Sequence, residues 1–205
     1  MKRKLFIAIL CFIAMMWVLH TLSKNFMVDP SFDSFLTKKD VALTNQEIWI
    51  LMIRAHILLA LVALIAGPIG LSKRIRVRFA PVHKWSGRIY VLSILLNFFP
   101  SLYVSFFASG GMPSTIGFLL LNTLWVVSTV FGYTSIKKKN MVQHTKWIIR
   151  SLFLSFANMT IYMIVAVTHH GFKLEYGLAY SIAVWLSWMV NLLIAEWTIR
   201  RKLIY

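Results

Sequence analysis

Long, unbroken runs of apolar residues dominate the chain and alternate with short polar segments. Six of these runs are long enough to cross a hydrocarbon core of about 30 Å as α-helices. They cover approximately residues 5–22, 48–71, 89–108, 115–136, 147–168 and 177–198. Because apolar residues follow one another instead of alternating with polar ones, the pattern predicts helices and argues against the strands of a transmembrane β-barrel.

The first run follows the basic residues Lys2, Arg3 and Lys4, as the apolar part of a signal peptide would. No cleavage site of small residues follows it, so we expect it to be retained as the first helix, residues 1–22. A single membrane domain, 1–205, is then predicted. Its parts are the first helix, an outer loop (23–47), a four-helix core (48–168), the sixth helix (177–198) and a cytoplasmic tail (199–205).

Composition supports a membrane protein. Hydrophobic residues make up 59% of the chain and charged residues 14%. In soluble domains, roughly 45–50% of the residues are apolar and about 25% are charged. These values exclude an ordinary soluble domain, and they exclude a disordered chain even more firmly. The single cysteine, Cys11, excludes an internal disulfide and a cysteine-based metal cluster.

Charge is distributed unequally between the two sides of the predicted helices. The formal net charge is +16, and most of the 22 basic residues lie in the segments 2–4, 73–88, 137–150 and 200–202. All four segments fall on one side of the membrane, and this asymmetry predicts that both termini are cytoplasmic in a multi-pass protein of the cell membrane. The lipid bilayer, including its anionic lipids, is therefore the expected partner, and nucleic acid is not.

Small and polar residues recur at helical spacing on the second to sixth helices, where they would allow close packing between helices in lipid. The first helix has no such stripe. We therefore predict an all-α integral membrane protein of six transmembrane helices, with helices two to five as the core and helices one and six peripheral. The second and fifth helices are each predicted to begin with a polar segment that resembles a capping box, at residues 44–47 and 140–143.

Two similar motifs open the third and fifth helices at the predicted cytoplasmic side. One begins with His83 and contains Arg88, and the other begins with His144 and contains Arg150. Two imidazoles at equal depth could hold the iron of one b-type heme, with the two arginines neutralising its propionates. The alternative is that both histidines are interfacial residues that contact headgroups or cap a neighbouring helix.

Three further polar residues are expected at similar depth in the outer half of the membrane: His56, Asn122 and Asn158. Ionisable groups in a membrane are costly and are therefore candidates for function. This predicted polar cluster could bind a quinone-like headgroup, relay protons, or simply pair polar groups between helices.

Signatures of hydrolases, phosphate-binding loops and zinc sites are absent from the sequence. The first functional hypothesis is thus a small redox protein that binds one heme b near the cytoplasmic face and exchanges electrons with a membrane quinone. The second is a non-catalytic membrane protein, either a small-solute carrier or an assembly partner of another complex.

The motifs resemble those of a bacterial membrane family, the domain of unknown function 2306. The matching residues are His56, His83, Lys84, Gly87, Arg88, Tyr90, Gly110, Gly111, Gly117, Phe118, Trp125, His144, Lys146, Trp147, Arg150 and Ser151. The chain departs from the family pattern at Ile148, where methionine is usual, and at Tyr162, near where a basic residue is expected. The resemblance implies a membrane fold and no particular chemistry.

In topology the chain is also similar to the cytochrome b561 class, which has six helices, a four-helix core and bis-histidine heme sites. This resemblance implies that His83 and His144 correspond to the site that pairs the third and fifth helices. A second heme site would need a histidine on the fourth helix opposite His56, and Asn122 stands there instead.

Overall fold

The computed structural model describes residues 2–204, with side chains from Lys4, and every regular element in that range is a helix. The α-helices are α1 (Lys2–Leu22), α2 (Asp33–Leu36), α3 (Gln46–Leu71), α4 (Lys73–Arg78), α5 (Ala80–Ser105), α6 (Gly111–Lys137), α7 (Met141–Leu154), α8 (Ala157–Val165) and α9 (Tyr176–Arg200). Two π-helical turns, Ser23–Val28 and Ala166–Gly171, extend α1 and α8.

Six spans of the described chain are long and apolar enough to cross a membrane, which confirms the predicted all-α, six-helix class. The spans are α1 with its π-helical turn, α3, α5, α6, α7 together with α8, and α9. The start of α1, the end of α9, α4 and the turn 138–140 lie at one end of the bundle, called here the basic end. The segment 29–45 lies at the other end, called here the loop end.

Asparagine side chains start two of the spans. The Asn45 side chain accepts a hydrogen bond from the backbone N–H of Ile48 at 3.0 Å, and that of Asn140 accepts one from Gln143 at 3.1 Å. Each side chain satisfies a backbone donor that has no partner within its helix. The polar starts recognised in the sequence therefore act as helix caps.

The fifth span is broken where the sequence predicts an uninterrupted helix. Helix α7 ends at Leu154, and α8 begins at Ala157. At the break, the Ser155 hydroxyl donates to the carbonyl of Leu152 at 2.6 Å. A serine side chain that bonds to its own helix in this way offers the backbone an alternative partner and favours a bend.

The first span lies at the edge of the bundle, as predicted. It packs on α3 through a narrow stripe of buried residues, Leu10, Ala14 and Val18. The Trp17 ring meets the Tyr162 ring with centroids 5.6 Å apart, so α1 also reaches α8. Helix α1 thereby covers the opening between α3 and the fifth span.

The sixth span is more deeply embedded than its predicted peripheral position. Helix α9 packs against α6, α7 and α8. Its buried face is made mostly of small residues: Gly177, Ala179, Ser181, Ala183, Val184, Ser187, Asn191, Ala195, Thr198 and Ile199. In lipid, an apolar side chain gains nothing by contacting another helix instead of a lipid tail. Small side chains favour association because they let the helix backbones approach closely. The sixth span is therefore part of the core, and the prediction that it lies outside is corrected.

A chain of buried hydroxyl groups joins three spans midway through the bundle. The Tyr90 hydroxyl lies 2.7 Å from the Ser151 hydroxyl, which lies 2.7 Å from that of Thr129. Thr129 in turn donates to the carbonyl of Trp125 at 2.7 Å. All three hydroxyl-bearing residues are buried. The chain pairs polar groups of α5, α6 and α7 where no water can reach them.

The close contact between α6 and α9 should make Gly117 intolerant of a larger side chain. A Cβ atom added there would lie 2.8 Å from Cγ1 of the buried Val184, whereas one added at Gly87 would meet nothing within 4 Å. We expect Gly117→Ala to cost about 1–3 kcal/mol through overpacking. The matched control, Gly87→Ala, should be neutral or stabilising. Thermal unfolding in detergent measures both, and equal midpoints for the two variants would contradict this packing.

Candidate functional site

A cavity of about 160 Å³ lies in the loop-end half of the bundle, among α1, α3, α5, α6, α8 and α9. The three residues of the predicted polar cluster, His56, Asn122 and Asn158, all line it. They come from α3, α6 and α8, so the fold brings them to one space. Most of the remaining lining is apolar or aromatic, which is the usual composition of a small-molecule site.

Two members of the cluster, His56 and Asn122, bond to other partners and not to each other. His56 Nδ1 lies 3.1 Å from Oδ1 of Asn97, and Nδ2 of Asn122 donates to the Ser105 hydroxyl at 3.2 Å. With Nδ1–H as the donor to the Asn97 oxygen, Nε2 of His56 is left as an acceptor. Asn97 was not placed in the predicted cluster, although it lies two helical turns from Tyr90 on the same face of α5.

The segment 29–45 forms a roof over the cavity. Phe32 is buried and meets the Trp49 ring edge-on at 6.2 Å, while Phe35 stacks on the same ring at 5.7 Å. Three hydrogen bonds hold the roof at separate points, and they join Arg54 to the Pro30 carbonyl, Lys39 to the Phe107 carbonyl and Asp40 to the Gly110 N–H. The roof is therefore a packed, anchored part of the fold.

Three hydrogen-bond donors among the residues lining the cavity have no hydrogen-bond partner within the described part of the protein. They are Nε1 of Trp49, Nε1 of Trp125 and the hydroxyl of Thr21, and all three residues are buried. Asn158 and Tyr162 also line the cavity, yet they are exposed, so the cavity reaches the surface of the bundle beside α8. A buried donor without a partner is costly and points to a ligand or water that supplies an acceptor.

At the basic end, His83 of α5 and His144 of α7 lie within electrostatic reach of each other. His144 Nδ1 lies 2.8 Å from the carbonyl oxygen of Gly132, and its N–H is therefore the donor, which leaves Nε2 free. His83 Nδ1 is buried without a partner, and its ring lies near the carbonyl of Gly70 and within electrostatic reach of His144. A fixed Nδ1–H with a free Nε2 is the arrangement that metal-binding histidines commonly adopt.

The two arginines predicted to accompany these histidines have partners of their own. Arg150 forms an ion pair with Glu196, with 2.5 Å between Nε and Oε1, and its guanidinium lies 4.4 Å from the centre of the Trp147 ring. The Arg88 guanidinium lies 5.1 Å from the exposed Trp85 ring. Their contact with heme propionates stays a prediction.

The two regions are separated along the membrane normal. Fourteen residues of α5 separate His83 from Asn97, a rise of about 21 Å. The interior between them is closely packed, because a Cβ atom on Gly67 would lie 2.6 Å from Cδ1 of Leu152 and 3.1 Å from Cε2 of Tyr90. The cavity and the histidine pair are thus distinct sites at opposite ends of one helix face.

Comparison with known proteins places the chain in a family. The profile of the family described as "Predicted membrane protein (DUF2306)" matches residues 53–199, which is more than half of the chain. This range contains the second to sixth spans almost completely, both histidine motifs and the predicted polar cluster. No curated protein and no solved structure matches the chain.

The bond between His56 and Asn97 should stabilise the packing of α3 on α5. Asn97 is 1% exposed, and its Nδ2 already has no partner. In His56→Phe the Asn97 oxygen would also lose its partner, so we expect a loss of about 0.5–2 kcal/mol. His20→Phe, a change at an exposed histidine of α1, is the matched control. Thermal unfolding in detergent measures both variants, and equal unfolding midpoints would contradict the role of this bond.

Proposed function

The chain belongs to this DUF2306 family of predicted membrane proteins, and on that premise we propose that its loop-end cavity binds a lipid-soluble molecule with carbonyl oxygens, of the quinone class. The observation that carries the proposal is the set of three unpartnered donors, Trp49 Nε1, Trp125 Nε1 and the Thr21 hydroxyl, at an apolar cavity that His56 also lines. A carbonyl oxygen accepts from such donors and donates nothing in return.

The size of the cavity agrees with a ring-shaped headgroup. Its volume of about 160 Å³ is comparable with an engineered protein cavity of about 150 Å³ that binds benzene. The exposed Asn158 and Tyr162 mark where the cavity reaches the surface of α8, which faces lipid in a membrane-embedded bundle. A ligand dissolved in the bilayer could therefore enter sideways and leave its hydrocarbon tail among the lipids.

Replacing Trp49 by phenylalanine tests this proposal, because the variant keeps an aromatic ring and loses the N–H donor together with the five-membered part of the indole, a loss of ring size that the control below shares. We expect the dissociation constant of a short-chain quinone to rise about three- to tenfold, the usual effect of one lost hydrogen bond. Equilibrium dialysis of the purified protein in detergent measures this constant directly.

Trp185→Phe supplies the matched control for the Trp49 variant. Its Nε1 donates to the carbonyl of Pro113 at 3.0 Å, away from the cavity lining. This control should bind the quinone as the unaltered protein does. No saturable quinone binding to the unaltered protein, or equal binding by both variants, would overturn the assignment of these donors.

A second proposal concerns the basic end. We propose that His83 and His144 hold one b-type heme, which would make the protein a redox partner of the quinone. The proximity of the two rings, the Gly132 bond that orients His144 and the unpartnered Nδ1 of His83 support it. A bound heme would supply one-electron chemistry. The chain itself orients the imidazoles and carries Arg88 and Arg150 on the following turns of α5 and α7.

The visible spectrum of protein purified from heme-replete cells tests the heme proposal. We expect a Soret band that is lost in both His83→Ala and His144→Ala, because each variant removes one axial ligand. His170→Ala, at an exposed histidine outside both sites, should keep the band. A colourless protein, or a band that survives in both variants, would reject the heme. Quinone binding without heme would favour a non-catalytic carrier.

A further inference from the structure

We infer that Lys39 selects ligands that carry an ionised oxygen next to the carbonyl, so that the cavity prefers acidic quinone-class molecules over neutral ones. This inference rests on the proposed function, because it names the charge of the ligand for the same cavity. The roof would then take part in recognising the ligand as well as in closing the cavity.

Lys39 is the basic residue that reaches the cavity from the roof. It is half-buried and lines the cavity, with its ammonium nitrogen bonded to the Phe107 carbonyl. The same nitrogen lies 4.8 Å from the centre of the Trp49 ring and 5.4 Å from that of Phe35. These contacts hold the charge over the face of the Trp49 ring, whose N–H is one of the unpartnered donors at the same cavity.

No carboxylate among the described residues that line the cavity balances this charge. The other titratable groups there are His56 of α3, Tyr162 of α8 and Tyr180 of α9. The neighbouring Asp40 is exposed, and its carboxylate accepts from the N–H of Gly110. An ammonium group that has lost part of its hydration without gaining a counter-ion is stabilised by an anionic ligand.

Burial brings the pKa of Lys39 into a pH range in which ligand binding can be measured. Desolvation lowers the pKa of Lys39 from 10.5 to about 8, and the nearby Asp40 opposes this shift. The ammonium form therefore prevails at neutral pH and is lost as the pH rises above about 8. Affinity for an anion should fall across that range, while affinity for a neutral ligand should not.

A matched pair of naphthoquinones tests the preference on the full-length protein in detergent. One carries a hydroxyl group beside a carbonyl and is ionised at neutral pH, and the other carries a methyl group at that position and is neutral. We expect the unaltered protein to bind the ionised compound at least tenfold more tightly at pH 7. The preference should diminish between about pH 7 and pH 9.5, a range between the ordinary histidine and tyrosine pKa values.

Variants at two adjacent lysines separate recognition from folding. Lys39→Met should remove the preference and leave the neutral compound bound, and Lys39→Arg should keep the preference and make it independent of pH in this range. Lys38→Met is the matched control, because Lys38 is exposed, lies over the Tyr176 ring and does not line the cavity. It should behave as the unaltered protein does.

The outcomes distinguish the two proposals. Binding of neither compound overturns the proposed function and, with it, this inference. Equal binding of both compounds, or a preference that persists in Lys39→Met, overturns the role of Lys39 and leaves the quinone-class site in place. A preference lost in Lys39→Met and retained in Lys39→Arg and Lys38→Met supports the inference.

Discussion

The hydrogen bond between Tyr90 and Ser151 is the contact on which both ends of the bundle depend. Tyr90 follows His83 by seven residues, and Ser151 follows His144 by seven, so each hydroxyl lies two helical turns from a histidine on the same face. Joining the hydroxyls at 2.7 Å ties one face of α5 to one face of α7 at this depth, and His83 and His144 lie two turns away on those same faces. Lipid offers no alternative partner for either hydroxyl.

The same face of α5 continues towards the loop end. Asn97 lies seven residues beyond Tyr90 and bonds to His56 of α3. A single stripe of His83, Tyr90 and Asn97 therefore carries the polar contacts of α5 to three different depths. Tyr90, the middle residue of this stripe, packs closely against Gly67 and Leu152. A closely packed layer of side chains therefore separates the histidine pair from the cavity.

The cavity occurs where regular helix packing is interrupted. Ser155, Ala157 and Asn158 line it, and they lie at or just after the break between α7 and α8. The roof then closes the space with Phe35 stacked on Trp49, Phe32 edge-on to the same ring, and an ammonium group from Lys39. An apolar space with few polar groups at one end suits an amphiphilic molecule whose head lies under the roof and whose tail extends into lipid.

Local sequence is enough to identify the class of protein, the six spans and the polar starts of the second and fifth helices at residues 44–47 and 140–143. These features follow from local composition and from helical periodicity, because the backbone hydrogen bonds within each helix fix its spacing. The fold was needed to show that α9 is embedded, that Arg150 pairs with Glu196, that Asn97 is the partner of His56, and that a roof with Lys39 covers a cavity. Such contacts depend on helix rotation and on loop paths, because residues far apart in the chain must meet, and no local pattern encodes that meeting.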